Sequence, residues 1–351
     1  MKKVNLAVIG CGTISKTHFP ALVKNEKVNV LYAVDILEER AIEAKNKFGV
    51  EQAVTDYKVA LADERVDAVY VLTPNYLHYI ITMDALRAGK HVFCEKPITV
   101  NYELSKEMYE LAEKNKLILN IGVVNRYKTS VNLIKEMYEE GKLGEIYHVY
   151  CSFRSFRSIP GLGGPFTTKS MSGGGVLIDW GVHFLDLIMY ILSAKAQTVS
   201  AKGYNKLASD MKNYMYRGEM WAGPVKYDGI NDVEELITGF IRTDKASITF
   251  NGAWAQNIDI PEMYIDFMGD KGGVRMMYNG PFTIFTNDGK MFQTITPDYN
   301  NADMFYDEDD AFLQSVLTGE KSRSNIEYVL PSAQLLDAIY LSGEEGKEIV
   351  L

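Results

Sequence analysis

Val4-Asn5-Leu6-Ala7-Val8-Ile9-Gly10-Cys11-Gly12-Thr13-Ile14-Ser15 is the stretch that decides the fold. An apolar run of strand length meets a glycine turn and passes at once into helical spacing over 15–24. That context is the one a dinucleotide pyrophosphate requires. Gly10 permits the tight turn and Gly12 lets the backbone approach the phosphates. Thr13 and Ile14 lead into a helix N-terminus, whose N–H groups and positive dipole end suit an anion. Ser15 stands where the fingerprint has a third glycine, which asks only that helix and strand stand slightly farther apart. Taken alone, the turn fits a purely structural role equally well. Asp35 adds the missing function: it closes the second apolar run, where a carboxylate accepts from both ribose hydroxyls and repels a 2′-phosphate. Ile36 and Leu37 bring no cation to offset that repulsion, and Arg40 is a turn away. NAD is therefore expected rather than NADP.

Outward from this element, short apolar runs alternate with helical stretches. Strands are predicted over 5–9, 28–34, 68–72, 91–93 and 117–122, and helices over 15–24, 38–48, 77–88 and 102–114. Strands apolar on both sides and separated by helices imply a doubly wound parallel α/β sheet, a Rossmann domain over 1–124. The pattern changes after Arg126. Helices are predicted over 131–140, 177–192, 307–317 and 331–342, and β-type alternation runs from 198 to about 295. Its clearest runs are 233–241, 246–254 and 263–268, with 146–153 ahead of them. Residues 125–351 are thus expected to form an α+β domain with a largely antiparallel open sheet. A free apolar sheet face calls for a second copy, a homodimer or homotetramer.

At 351 residues the chain exceeds a single core, and 47% apolar content supplies two. A formal net charge of −9 without a basic stripe argues against nucleic acid as a partner. No apolar stretch approaches a membrane span, and the short run after Lys2-Lys3 lacks a signal-peptide cleavage pattern. Cys11, Cys94 and Cys151 show no metal spacing and read as reduced thiols. No metal is expected, and the chain reads as cytoplasmic.

Two more segments carry chemistry. Thr73-Pro74-Asn75 follows the third good strand, with His78 entering the next helix; Ala88-Gly89-Lys90-His91-Val92-Phe93-Cys94-Glu95-Lys96-Pro97 ends on a charged turn. Carboxyl ends of strands are where a doubly wound fold places ligands. Together with the opening glycines and Asp35, these segments resemble the glucose–fructose oxidoreductase/inositol dehydrogenase (Gfo/Idh/MocA) family. So does Gly173-Gly174-Gly175-Val176-Leu177-Ile178-Asp179-Trp180-Gly181-Val182-His183-Phe184-Leu185-Asp186, complete for that family's second motif, and so does the closing Ala338–Ser342.

The resemblance spans the whole chain and implies NAD(P)-dependent oxidation of a secondary alcohol on a sugar, polyol or inositol. It implies Lys96, Asp179 and His183 as the catalytic group, with His183 the base, Asp179 orienting it and Lys96 on the reacting oxygen. It places Asn75 and His78 near the cofactor, although His78 could equally cap its own helix. Glu95 and Pro97 are expected to line the nicotinamide side. Arg126 and Arg154 are candidate substrate ligands, and Asp186 a brace. The aromatic stretch 213–228, with Tyr214, Tyr216, Trp221 and Tyr227, could stack on a sugar or pack on a neighbouring subunit. The alternatives are a non-catalytic dinucleotide-binding regulator and an aldehyde- or imine-type reductase of the same fold.

Overall fold

The computed structural model describes residues 3–217 and 222–351. The chain divides into two compact units: Met1–Tyr127 with Ala302–Leu330, and Lys128–Asn301 with Pro331–Leu351. The first break falls three residues beyond the expected 124/125 boundary. The second is a departure, because 302–330, expected in the later domain, packs with the earlier one.

The first unit runs β1 (Val4–Ile9), α1 (Ser15–Lys24), β2 (Val28–Val34), α2 (Glu38–Phe48), β3 (Gln52–Val54), α3 (Tyr57–Ala62), β4 (Ala68–Val71), α4 (Asn75–Arg87), β5 (His91–Glu95), α5 (Tyr102–Asn115) and β6 (Leu119–Gly122). Its six strands are all parallel in the order β3-β2-β1-β4-β5-β6, the doubly wound arrangement. The switch point lies between β1 and β4. β4 and β6 are buried along their whole length, as strands covered on both faces must be. β3 and α3 escaped the sequence reading because neither is long enough to show a period.

The second unit opens with α6 (Thr129–Glu139), β7 (Ile146–Arg154) and α7 (Lys169–Ser172). A π-helical turn at Leu177–Gly181 runs directly into α8 (Val182–Leu192). Then come β8 (Ala196–Tyr204), β9 (Leu236–Thr243), β10 (Ser247–Ala253), β11 (Glu262–Gly269), β12 (Gly272–Met277), β13 (Phe282–Asn287) and β14 (Phe292–Ile295). α9 (Met304–Thr318) belongs to the first unit, α10 (Ile326–Glu345) holds the division at Leu330, and β15 (Ile349–Val350) closes the chain. The nine-stranded sheet has the order β14-β13-β12-β11-β7-β10-β9-β8-β15. Among the described residues only the central β7–β10 pair is parallel, so the sheet is mixed but largely antiparallel.

The core of this unit gathers one face of the sheet, through Val149, Cys151, Ile248, Phe250 and Phe267, with α6, α8 and the end of α10. Lys169–Leu192 meets the length and hydropathy of a membrane span, against the sequence expectation, and 78% of that apolar window is buried within the fold. Tyr214 and Tyr216 join the same core, edge to face at 4.6 Å, and Tyr227 is exposed. The expected sugar-or-subunit role of this stretch thus gives way, for those two rings, to packing within their own unit. Trp221 lies outside the described residues.

The return of α9 to the first unit has a packing cause. Phe312 and Leu313 enter the cluster of Leu6, Phe19, Tyr70 and Phe93. All three cysteines are free and buried, and burial raises the Cys11 thiol to about 12.

Candidate active site

In the first unit the candidate residues collect at the carboxyl ends of β1, β2, β4 and β5. Gly10 has φ +102°, and a Cβ there would run into the carbonyl of Leu72, so only glycine fits the turn. A Cβ on Gly12 would meet nothing within 4 Å, so the backbone faces open space of the kind a pyrophosphate needs. α1 has no side-chain cap and no acidic residue in its first turn, so no carboxylate competes with an anion at its positive end, although the Lys16 and Thr17 N–H groups turn back to the carbonyls of Thr13 and Ile14. Ser15 is buried, its hydroxyl donating to the Gly12 carbonyl at 2.8 Å. The serine that departs from the fingerprint therefore pins the loop.

Asp35 Oδ2 accepts from the Cys11 N–H and Oδ1 from the Leu37 N–H, both at 2.9 Å. These bonds fix the carboxylate at the strand end, with lone pairs remaining for ribose hydroxyls. The residues present therefore fit a dinucleotide.

His78 bridges two strand-end loops, Nδ1 lying 2.7 Å from the Pro97 carbonyl and Nε2 2.8 Å from that of Thr73. Burial pulls its pKa below the usual value, while both carbonyls favour the protonated ring. Its ring does not cap its own helix; it ties Thr73-Pro74-Asn75 to the Glu95-Lys96-Pro97 turn. The Lys96–Pro97 peptide is cis. Glu95 Oε2 accepts from the Lys96 peptide N–H at 3.0 Å, and Lys96 itself is half-buried.

In the second unit, Asp179 sits in the π turn and His183 in the first turn of α8, both half-buried. A π turn spends more residues per circuit than an α turn, so a four-residue step still leaves both side chains on nearly one side. Trp254 Nε1–H donates to Asp179 Oδ2 at 3.2 Å. The His183 ring lies 6.3 Å from that of Tyr278, which stacks on Phe184 at 4.5 Å. Lys128 Nζ sits 4.1 Å over the Tyr278 ring and donates to the Tyr278 carbonyl at 3.0 Å; burial lowers its pKa to about 8.

The helix carrying Asp179 is anchored from outside. Glu234 Oε2 accepts from Gly175 N–H at 3.0 Å, and Oε1 from Leu177 N–H at 3.0 Å and the Tyr340 hydroxyl at 2.9 Å. The glycine run is explained here, because a Cβ at Gly174 would strike the Tyr340 hydroxyl and one at Gly175 the Glu234 carbonyl. Asp186 accepts from the Ser332 hydroxyl at 2.8 Å. Trp254, Tyr278, Lys128 and Glu234 carried no sequence signal, since each acts through a partner far along the chain.

The two candidate substrate arginines are placed differently from their expectation. Arg126 is buried, and Nη1 and Nη2 donate to the carbonyls of Arg323 at 2.7 Å and Tyr328 at 3.0 Å. Arg154 pairs with Glu262 across β7 and β11. Both guanidinium groups are engaged in holding the protein together.

A family model described as "Oxidoreductase family, NAD-binding Rossmann fold" matches residues 4–123, and one described as the GFO/IDH/MocA C-terminal domain matches residues 131–275. The chain is 30% identical to D-glucoside 3-dehydrogenase of Escherichia coli strain K12, over 99% of this chain and 97% of that one. It is 31% identical to myo-inositol 2-dehydrogenase of Thermotoga maritima, over 57% of this chain and 58% of that one. Levoglucosan dehydrogenase, solved in complex with NADH and levoglucosan, shares the fold at a TM-score of 0.85, with 20% identity and 99% of both chains covered. The chain belongs to the GFO/IDH/MocA oxidoreductase family.

Proposed function

We propose that this family member is an NAD-dependent dehydrogenase taking hydride from a secondary alcohol of a sugar, polyol or inositol. The observation that carries the reading is the pairing of Asp179 with an indole donor on the helix that presents His183. The names of the relatives, one of them matched over nearly its whole length, support the substrate class. Gly10, Gly12, Thr13 and Ile14 cradle the pyrophosphate, and Asp35 takes the ribose hydroxyls and disfavours a 2′-phosphate. Thr73, Pro74, Asn75, His78, Glu95 and Pro97 shape the nicotinamide side. The bound dinucleotide supplies the hydride acceptor.

Lys96 donates to the reacting hydroxyl oxygen, lowers its pKa and stabilises the developing alkoxide. His183 takes the hydroxyl proton as hydride leaves the carbinol carbon. Asp179, held by Trp254, orients and tunes that imidazole. With Arg126 and Arg154 engaged elsewhere, a neutral substrate fits better than a phosphate or carboxylate.

The open face of the second sheet carries Tyr150, Phe240, Tyr264 and Met268 at outward positions, and a second copy of the chain covers it. Three buried free thiols suit a cytoplasmic setting. Coupled NAD and NADP absorbance across inositols, aldoses, sugar phosphates and sugar acids tests the reading. Turnover of a neutral polyol or sugar with NAD is expected. Turnover confined to charged substrates, or to NADP, would contradict it.

A further inference from the structure

The first unit buries a group of charges that the reaction above does not use. His18, one turn into α1, is fully buried. Its Nδ1 lies 2.9 Å from Asp309 Oδ1 on α9, and its Nε2 lies 3.0 Å from Glu95 Oε1 at the end of β5. The Tyr70 hydroxyl donates to the same Asp309 oxygen at 3.1 Å. Glu308, equally buried, stands in the field of all three. Phe19, Phe93 and Phe312 surround the group. Packing alone does not explain it, because apolar side chains of similar volume commonly do as well or better than a buried ionic cluster.

Its one outlet toward the site is Glu95. Oε1 is held by His18, Oε2 holds the peptide N–H of Lys96, and the carboxylate lies against Gly122, where a Cβ would sit 2.6 Å from Oε1. Each oxygen is therefore fixed by a different element, and the next residue in the chain is the lysine.

We propose that His18 is a positioning residue for Lys96: through Glu95 it joins the phosphate-binding helix to the lysine's turn and sets where the ammonium group stands. The proposal rests on the reading of Lys96 as the group on the reacting oxygen. The charge state agrees with it. Burial alone would discharge His18, but Asp309 and Glu95 outweigh it and hold the ring protonated, so both ring nitrogens donate.

The test is a double-mutant cycle on the 351-residue chain, measuring kcat and KM with NAD and the best neutral polyol. His18→Gln lowers kcat about tenfold or more, with KM for the polyol changed less than about twofold. In a Lys96→Ala background the same substitution lowers the residual rate by less than about twofold. Equal fractional losses in both backgrounds, or an unchanged kcat in His18→Gln, would overturn the proposal. Should His18→Gln not fold, Gly122→Ala takes its place, since its Cβ displaces the same carboxylate at constant charge and must show the same non-additivity. Lys96→Ala with unchanged kcat is a separate outcome; it removes the role given to Lys96, and this proposal with it.

Discussion

The Lys96 turn and the Asp179–His183 helix are held by opposite means. In the first unit an imidazolium between two carboxylates fixes Glu95, and Glu95 fixes the turn. In the second, a carboxylate, Glu234, receives two peptide N–H groups and a phenol. An ionic clamp suits a strand end, where few peptide donors converge. A helix start offers unsatisfied N–H groups, and one carboxylate gathers them. In both, a carboxylate holds backbone N–H groups close in sequence to a residue proposed for the reaction: Lys96 next to Glu95, and Asp179 two residues beyond the Leu177 that Glu234 holds.

The largest expected effect tests whether both halves reach the same reaction. Lys96→Ala and His183→Ala should each cut kcat by at least about 10²-fold, with the Kd for NAD in titrations essentially unchanged. A loss confined to one variant would leave only one clamp serving catalysis.

Cofactor choice should divide the two regions cleanly. Asp35→Ala should lower the NAD-over-NADP preference in kcat/KM by about tenfold, the scale of a lost charged hydrogen bond. His183→Ala should leave that ratio where it was. Equal weakening of both cofactors by Asp35→Ala would remove the ribose assignment.

A smaller effect separates the clamps by pH. Asp309 and Glu95 hold the His18 pKa well above its usual value against burial, and burial with the nearby Glu95 charge raises that of Glu308. Both groups bind protons more tightly folded than unfolded. The His18 contribution is thus complete below about pH 6.5, and that of Glu308 below about pH 4.3. Each is lost as pH rises through the raised folded value. Thermal stability should therefore fall from about pH 6.5 upward, and Glu308→Gln should flatten the slope. Tyr340→Phe, in the other clamp, should lower Tm and steepen the slope, because the lost hydroxyl counters the burial that raises the Glu234 pKa. A Glu308→Gln slope equal to that of the unsubstituted chain would show that the ionic cluster does not titrate in this range.

Elements with their own period were legible from sequence. α1 and α2 fall on the predicted residues, and the Rossmann order follows from strands and crossovers. What stayed hidden is non-local. Residues 307–317 showed a helix and nothing of its partner, yet Glu308 and Asp309 face His18, whose position lies 291 residues away from Asp309. For the same reason α9 was assigned to the wrong unit. Arg126 showed the reverse error: an arginine just past a strand end looked free for substrate, and the carbonyls that occupy it come from 197 and 202 residues onward. The π turn under Asp179 also had no sequence mark, because Gly173-Gly174-Gly175 announces a close approach without naming Tyr340 or Glu234 as what approaches.

Isotope tracing addresses the central claim most directly. The chain would be incubated with NAD and a neutral sugar or polyol deuterated at its carbinol carbons, and the recovered dinucleotide read by mass. Deuterium on the nicotinamide, with none in a parallel Lys96→Ala, His183→Ala double variant, is the predicted result. A chain that binds NAD and transfers no deuterium from any sugar, polyol or inositol would be a dinucleotide-binding protein without this reaction.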